Sequence, residues 1–445
     1  MDFESIKRLG LDKYYIDPIK SYETYDPIHN NHIINLYLKK DNDLKCPRCN
    51  SYNIKIIGSR KNEIKHSVIS QKQCKLILTR RKYKCEICDS IFTEKNLLAN
   101  KSIESHSMEM EILNGLKNIN KSYKEVAKEY GVSEYYVRDL FDRKVDLKRN
   151  ELPEVLCIDE VYNKRLTKYK YCCILYSPQR RQIVDVLNTR HKNFLYDYFA
   201  RISTQEKQKV RYISIDLWDS YREISYKCFP NAIVCADSFH VIKHIVEAFK
   251  KIRIRIQNKY KDTRNEETFS YYWLLKKYNY LLTSTKKRDN FKPRKVAHTR
   301  MYMTSNDLIH FMLKLSDELK LAYELLSSYQ LFNQNASIDD AYPWLEELIS
   351  KFKLSRIPEY IEIWKLLENW KVEIINSFNR TNGHRVSNGP MERVNRDIKT
   401  LYRTSYGMKN FVRTRNRIMF CINQNAPILS VKKAFNNNRK LNNKD

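Results

Sequence analysis

Residues 210–240 read VRYISIDLWDSYREISYKCFPNAIVCADSFH: an apolar run ending in an acid, a helix-length segment, and a second apolar run ending in another acid. Val210, Tyr212, Ile213 and Ile215 lead up to Asp216, and Ile233 to Ala236 lead up to Asp237. Apolar runs this short, bounded by polar residues and separated by the length of a helix, predict neighbouring strands of a parallel sheet. Ligands of open α/β sheets gather beyond the carboxyl ends of the strands. Both acids are therefore candidates for chemistry.

Upstream, Glu154 to Asp159 (EVLCID) is another apolar run ending in an acid, and Tyr169–Tyr176 and Gln182–Leu187 read as strands joined by a Ser177-Pro178-Gln179-Arg180 turn. His191–Ile202 reads as a helix. Downstream, His240–Ile256 predicts a long helix with Ile242, Ile245, Val246, Phe249, Ile252 and Ile256 on its buried side. Lys243, Lys250, Lys251, Arg253 and Arg255 are expected largely on the rest of its surface. Three strands, a helix, a strand, a helix, a strand and a helix is the order of ribonuclease-H-like domains. There one acid sits on the first strand and another at the end of the fourth, the places held here by Asp159 and Asp216. Such carboxylates can hold two divalent ions that stabilise the attacking and leaving oxygens of a phosphodiester, and hard oxygen ligands suit Mg²⁺ or Mn²⁺. A lone Asp at a strand end is more often a cap or turn residue; the pair in this order is stronger than either alone.

A third carboxylate comes from Ser387 to Lys399, SNGPMERVNRDIK. Asn388 and Pro390 suit a helix start, and Met391, Val394, Ile398 and Leu401 form an apolar stripe. Glu392, Asn395 and Lys399 share a different face, one able to look into an active site.

The chain has 445 residues, which predicts two to four domains. Lys+Arg number 82 against 52 Asp+Glu, a formal charge of +30, which favours an anionic polymer partner, nucleic acid first. Codon bias toward Lys would raise Glu as well, so it leaves the sign of the charge unexplained. The N-terminal MDFESIKRLG lacks the apolar core of a secretory signal, and no apolar run is long enough to span a bilayer. Eleven cysteines, several in apolar strands, fit a reduced compartment. The expected setting is the cytoplasm, without a membrane anchor.

Two modules precede the sheet. Cys46-Pro-Arg-Cys49 and, after 35 intervening residues, Cys85-Glu-Ile-Cys88 present four thiolates, the complement of a closed structural zinc site. The gap is wider than in common paired knuckles, with room for a small antiparallel ribbon in which Lys75–Tyr83 is a strand. His66 and Cys74 lie in the gap as spare ligands, though isolated ones are more often structural or incidental. Next, Ser122 and Glu125 form a capping box; Val126, Ala127 and Tyr130 give an apolar face; Gly131 permits a sharp turn; and Ser133 can cap a second helix with Val137, Leu140 and Phe141 inward. With Met108–Ile119 as a preceding helix, this reads as a helix-turn-helix offering Glu134, Tyr135, Arg138 and Arg143, beside Ser133, to a DNA groove.

The chain resembles the DDE transposases of bacterial insertion sequences, specifically the ISL3 family, from the cysteine knuckles to about Asn423. The pieces that carry the resemblance are IDE (Ile158–Glu160), DLWDSY (Asp216–Tyr221), ADSFHVIKH (Ala236–His244) and SNGPMERVNRDIK. It implies Asp159, Asp216 and Glu392 as the catalytic, Mg²⁺- or Mn²⁺-binding triad, with Asp237 and His240 forming the Asp-x2-His motif that follows the second acid. His240 would orient the scissile phosphate or a proton-transfer water, or equally brace Asp237. The helical segments Tyr271–Leu282, Leu308–Leu326, Tyr342–Phe352 and Ile357–Phe378 resemble the all-α insertion of related transposases, with Trp273, Trp344, Trp364 and Trp370 most simply in its core. Lys409–Arg417 (KNFVRTRNR), with Lys409, Arg413, Arg415 and Arg417, is a basic helical segment suited to phosphate contacts, with a solvated helix face as the competing reading.

The expected architecture is multidomain α/β: an N-terminal segment with the four-cysteine zinc ribbon (1–100), a helix-turn-helix (101–148), a ribonuclease-H-like core (149–258), an all-α insertion (259–385), the rest of the core with the Glu helix (386–430) and a basic tail (431–445) that is disordered from Asn436. The expected function is metal-dependent cleavage and strand transfer at the inverted repeats of an insertion sequence. Double-stranded DNA, both transposon ends and target, is the partner, bound by a homodimer or higher oligomer in the bacterial nucleoid. A zinc and helix-turn-helix DNA-binding regulator without catalysis, descended from a transposase, is the competing class, and a nuclease that cuts without joining is a third.

Overall fold

The computed structural model describes all residues except 10, 12, 13, 29, 30, 70, 71, 100–103, 164–168, 263, 285–291, 297–300, 406–408 and 430–445, so the expected disordered tail lies outside the described residues. Two compact units form: Met1–Lys148 with Thr400–Asp445, and Arg149–Lys399.

The first unit starts with α1 (Phe3–Arg8) and the strands β1 (Tyr22–Asp26), β2 (Asn31–Tyr37), β3 (Ile54–Ile69), β4 (Lys72–Cys85) and β5 (Ile91–Thr93). They pair in the order β1-β2-β4-β3, with β5 also on β4. Alternation buries Ile34, Leu36, Leu76 and Leu78 together with Ile64 of β3, under Ile6, Leu11 and Ile16. The predicted strand Lys75–Tyr83 is the middle of a longer one, β4, whose hairpin with β3 sets Ile54 opposite Cys85 and His66 opposite Cys74. Three helices follow: α2 (His106–Gly115), α3 (Tyr123–Tyr130) and α4 (Glu134–Lys144). Ser122 accepts from the Glu125 amide at 3.1 Å while the Glu125 carboxylate accepts from the Ser122 amide at 2.7 Å. This closes the capping box. Gly131 ends α3 in the left-handed region (φ 63°), and Ser133 accepts from the Tyr136 amide to start α4. Val126, Ala127, Val137, Leu140 and Phe141 are buried.

The second unit is built on β6 (Val155–Tyr162), β7 (Tyr171–Ser177), β8 (Gln182–Leu187), α5 (Lys192–Ala200), α6 (Thr204–Gln208), β9 (Tyr212–Ile215), α7 (Asp219–Cys228), β10 (Ile233–Ala236) and α8 (Ser238–Lys259). The sheet order is β10-β9-β6-β7-β8. Strands β6, β7 and β8 form an antiparallel meander, and β9 and β10 run parallel to β6. Helix α8 buries Ile245, Phe249, Ile252 and Ile256 as expected, but Arg253 is buried too, donating to the Leu275 carbonyl at 3.0 Å. Periodicity alone places it outside.

The helical region comprises α9 (Glu266–Lys277), α10 (Asn279–Thr283), α11 (Ser305–Lys314), α12 (Asp317–Asn335), α13 (Ala341–Leu354), α14 (Ile361–Asn369) and α15 (Lys371–Asn376). Expected helices therefore divide: near Tyr278, at Ser316, which caps α12 by accepting from the Leu319 amide, and at Trp370. One continuous core joins this region to the sheet, including Ile215, Val234 and Phe249 on one side and Leu325, Phe352 and Phe378 on the other.

Two final helices are α16 (Gly389–Thr404) and α17 (Phe411–Ile422). The expected grouping of 386–430 with the sheet divides inside α16, since residues from Thr400 on belong to the first unit. There Phe420 of α17 meets Phe141 edge-to-face at 5.7 Å, and Asn416 donates to the Val145 carbonyl at 3.0 Å.

Candidate active site and metal centres

Strand register sets the geometry of the site. Ile158 of β6 lies opposite Ile215 of β9, which lies opposite Ala236 of β10. The next residue in each case is an aspartate, so Asp159 within β6 and Asp216 and Asp237 just past β9 and β10 stand in a row. Ligand oxygens of Asp159, Glu160 and Asp216 lie within 4.8 Å of one another, and so do ligand atoms of Asp216, Asp237 and His240. Asp216 belongs to both groups.

His240, in the first turn of α8, places Nδ1 2.9 Å from Asp237 Oδ2 and 3.2 Å from Asp216 Oδ1. Burial alone would lower its pKa, but the hydrogen bond to Asp237 and the charge of Asp216 raise it above the ordinary imidazole value. Asp216 is pushed well above the usual carboxylate range by burial and by facing Asp159, and burial raises Asp159 as well. Carboxylates crowded in this way gain when a cation is bound between them. The hard oxygen set fits Mg²⁺ or Mn²⁺, so the cluster could hold such a metal.

Helix α16 reaches the row through two asparagines. Asn395 donates to Asp159 Oδ2 at 2.6 Å. Asn388, just ahead of the helix, donates from its amide side chain to the Ile158 carbonyl at 3.3 Å and to Asp216 Oδ1 at 3.4 Å, and from its backbone to Asp237 Oδ1 at 3.2 Å. Glu392 lies one turn before Asn395, is exposed, and stands outside the two groups of close ligand atoms.

Glu160 and Arg190 escaped the sequence reading as a pair. Arg190 contacts Glu160 at 2.5 Å and lies between the rings of Trp218 (3.7 Å) and Tyr171 (4.1 Å). Glu160 appeared only inside the IDE motif, and nothing local marks Arg190, whose three partners come from three other segments.

The second centre is the knuckle pair. Sulfurs of Cys46 and Cys88 are 3.6 Å apart and those of Cys49 and Cys85 3.5 Å, with all four within 4.8 Å of one another. A tetrahedral zinc with Zn–S near 2.3 Å needs sulfurs about 3.8 Å apart, so the set fits. The knuckles are built alike: the Cys46 amide donates to Ser51 O and the Cys85 amide to Ser90 O, both at 2.9 Å, and Asn50 and Asp89 take left-handed φ values of 57° and 55°. His66 and Cys74 take the structural reading: they face each other across the hairpin, the His66 ring bonds Ser105 and the Leu9 carbonyl, and neither belongs to the four-cysteine group.

Among the expected DNA contacts, Ser133, Glu134 and Tyr135 are exposed, while Arg138 is 3.8 Å from Glu134 and Arg143 2.8 Å from Asp139. Lys409 is exposed. Arg413 instead forks onto Asp142, with Nε at 2.8 Å from Oδ1, and Arg415 donates to the Leu147 carbonyl at 2.6 Å. Arg417 is 1 % exposed and donates to the carbonyls of Lys121 and Asn118. An interior guanidinium cannot meet a phosphate, so Arg417 is withdrawn from the DNA-contacting set.

Residues 156–418 match the family model of the ISL3-type DDE transposases, described as a transposase, and residues 44–88 match that of a zinc finger of transposases IS204, IS1001, IS1096 and IS1165. The first match covers more than half of the sequence. The chain belongs to the ISL3 family of DDE transposases. It is 23% identical over 277 residues to the transposase for insertion sequence element IS1557 of Mycobacterium tuberculosis, covering 60% of this chain and 59% of that one. It is also 32% identical over 139 residues to a protein named ATP-dependent protease from Lactococcus lactis subsp. lactis, covering 31% of this chain and 40% of the other. The chain thus spans 40% and 59% of the lengths of these relatives. Among the described residues, no helix is long and apolar enough to cross a membrane.

Proposed function

We propose that this chain binds the terminal inverted repeats of its own insertion sequence and catalyses strand cleavage and strand transfer there, through a ribonuclease-H-like core that uses Asp159, Asp216 and Glu392. The observation that carries the reading is the aligned aspartate row with α16 tied to it. Asn395 fastens the helix to Asp159, and Glu392 sits one turn away on the same stripe. Two divalent ions held by Asp159, Asp216 and Glu392 would supply activation of the attacking oxygen and stabilisation of the leaving one.

The chain's own residues set up that chemistry. Asp237, 3 % exposed, anchors His240 and the start of α16, so its role is to support Asp216. The His240 Nδ1 proton, held between Asp216 and Asp237, fixes the ring and leaves Nε2–H to donate to a scissile phosphate or to a proton-transfer water. Arg190 holds Glu160 beside Asp159. In the first unit, zinc held by Cys46, Cys49, Cys85 and Cys88 would clasp the ends of the β3–β4 hairpin. Helices α3 and α4 act as a helix-turn-helix, with Ser133, Glu134, Tyr135, Arg138 and Arg143 facing the groove and Lys409 adding a phosphate contact. A homodimer or larger assembly brings two ends together, acting on nucleoid DNA in the cytoplasm.

Full-length protein incubated with an end-containing duplex and Mg²⁺ or Mn²⁺ tests this. Asp159→Asn, Asp216→Asn and Glu392→Gln should each abolish cleavage and joining and leave duplex binding in place. Cleavage that persists in any of the three removes that residue from the triad. Binding by wild-type protein without any cleavage would make the chain a regulator.

A further inference from the structure

We infer that Asn388 and Asn395 are positioning residues of the active site: each steers one aspartate with its amide N–H and offers its amide oxygen to the water shell of the bound cation. This rests on the active-site reading above. The two residues lie seven apart, Asn388 at the entry of α16 and Asn395 two turns on, with Glu392 between them. At i, i+4 and i+7 all three share one stripe. Asn388 and Asn395 reach the two aspartates from that stripe at 3.4 and 2.6 Å.

Partners fix the amide orientations. The groups nearest the Asn388 side-chain nitrogen are a carbonyl and a carboxylate, and the group nearest that of Asn395 is a carboxylate. All are acceptors, so each NH2 faces them and each Oδ1 is left as the unused atom of its amide. Both Oδ1 atoms are then buried with no hydrogen-bond partner. An unpaired buried acceptor is costly, and two of them beside the same aspartates call for a donor. Aspartates ionised to hold a cation supply none. Waters on a cation do, because Mg²⁺ held by one or two carboxylates keeps several of its waters. The orphaned oxygens of the two asparagines are thereby matched to the one class of ligand that the carboxylate row can hold. An outer shell of this kind sets the direction of ligand lone pairs and tunes metal affinity by roughly 10–100-fold.

The test reads metal binding, not turnover. Mn²⁺ is titrated into DNA-free full-length protein and free Mn²⁺ is followed by electron paramagnetic resonance, with circular dichroism and the metal-free thermal midpoint as controls on folding. Asn395→Ala and Asn388→Ala should each weaken Mn²⁺ binding about 10-fold or more, by more than any change in metal-free stability accounts for. Wild-type Mn²⁺ affinity with only a lowered thermal midpoint would show the asparagines to be structural and overturn the inference. Should Asn388→Ala fail to fold, Asn395→Ala decides, since its side chain is only half-buried. Asp159→Asn and Asp216→Asn separate the two levels. If they abolish Mn²⁺ binding and the asparagine variants do not, this inference alone fails. If they retain it, the active-site reading fails and takes the inference with it.

Discussion

Replacing Arg417 by methionine separates two roles for the basic helix α17. In the folded chain its Nη2 donates to the Lys121 carbonyl at 2.9 Å and to the Asn118 carbonyl at 3.4 Å, and the guanidinium lies 5.6 Å from the Tyr123 ring. Methionine keeps most of the volume and removes the donors. The shorter bond, made by a charged donor, is worth about 1.5–3 kcal/mol, the longer one a fraction of that, and the ring contact about 1 kcal/mol. Asn118 O keeps the Lys121 amide as a second donor, so only the Lys121 carbonyl is orphaned. Against these losses stands relief of the buried charge, whose Nη1 has no partner. The net expectation is a destabilisation of about 2 kcal/mol, or roughly 4–8 °C in the thermal midpoint of a unit this size. The second readout is the salt dependence of duplex binding. A phosphate contact contributes about 0.9 to the slope of log K against log salt, so Arg417→Met should leave the slope unchanged while Lys409→Ala lowers it by about that amount. An unchanged midpoint together with a slope lowered by one contact in Arg417→Met would refute the structural role.

Three further outcomes follow from the first unit. Purified protein should carry one zinc per chain, and Cys85→Ser or chelation should remove it and unfold the knuckle end of the β3–β4 hairpin, because a binding free energy on the order of 10 kcal/mol is also folding free energy; metal analysis paired with thermal melting checks this. Gly131→Ala should cost about 1–2 kcal/mol because of its left-handed backbone, with the Gln73 side chain moving aside for the new methyl, as read by urea denaturation. His66 is held below the ordinary imidazole pKa by burial. The folded chain therefore resists a proton that the unfolded chain accepts near pH 6.5, so stability is full above that pH and falls as pH drops below it. His66→Gln should flatten the difference in urea midpoint between pH 8 and pH 5.5, and an equal slope in the variant would exclude His66 as its source.

The sheet was legible because its signal is local. Each strand is a short apolar run, and parallel register carries Asp159, Asp216 and Asp237 to one edge with no knowledge of distant partners. The clasp of four cysteines was legible for the same reason. What sequence could not supply were pairings made between separate elements of the chain. Arg417 looks like any cation on a helix until the carbonyls of Asn118 and Lys121 are placed beside it. Arg253 hides similarly behind the Leu275 carbonyl. Asn388 carried a helix-start signal and Asn395 a place on the Glu392 face, but their partners lie on or just past strands some 150–240 residues earlier. Helix breaks at Ser316 and Trp370 leave no mark in the periodicity because the apolar spacing continues through both.

The core shared by the sheet and the helical region has a consequence for damaged copies of the gene. Because Phe249 and Ile252 of α8 are buried in the same cluster as Leu325 and Phe352, an in-frame deletion of α9–α15 would strip the cover from α8 and not release a smaller working domain. Internal deletions in this stretch should therefore give products that aggregate or are degraded. Loss of the folded second unit through such lesions is then abrupt, with no smaller stable form surviving as an intermediate.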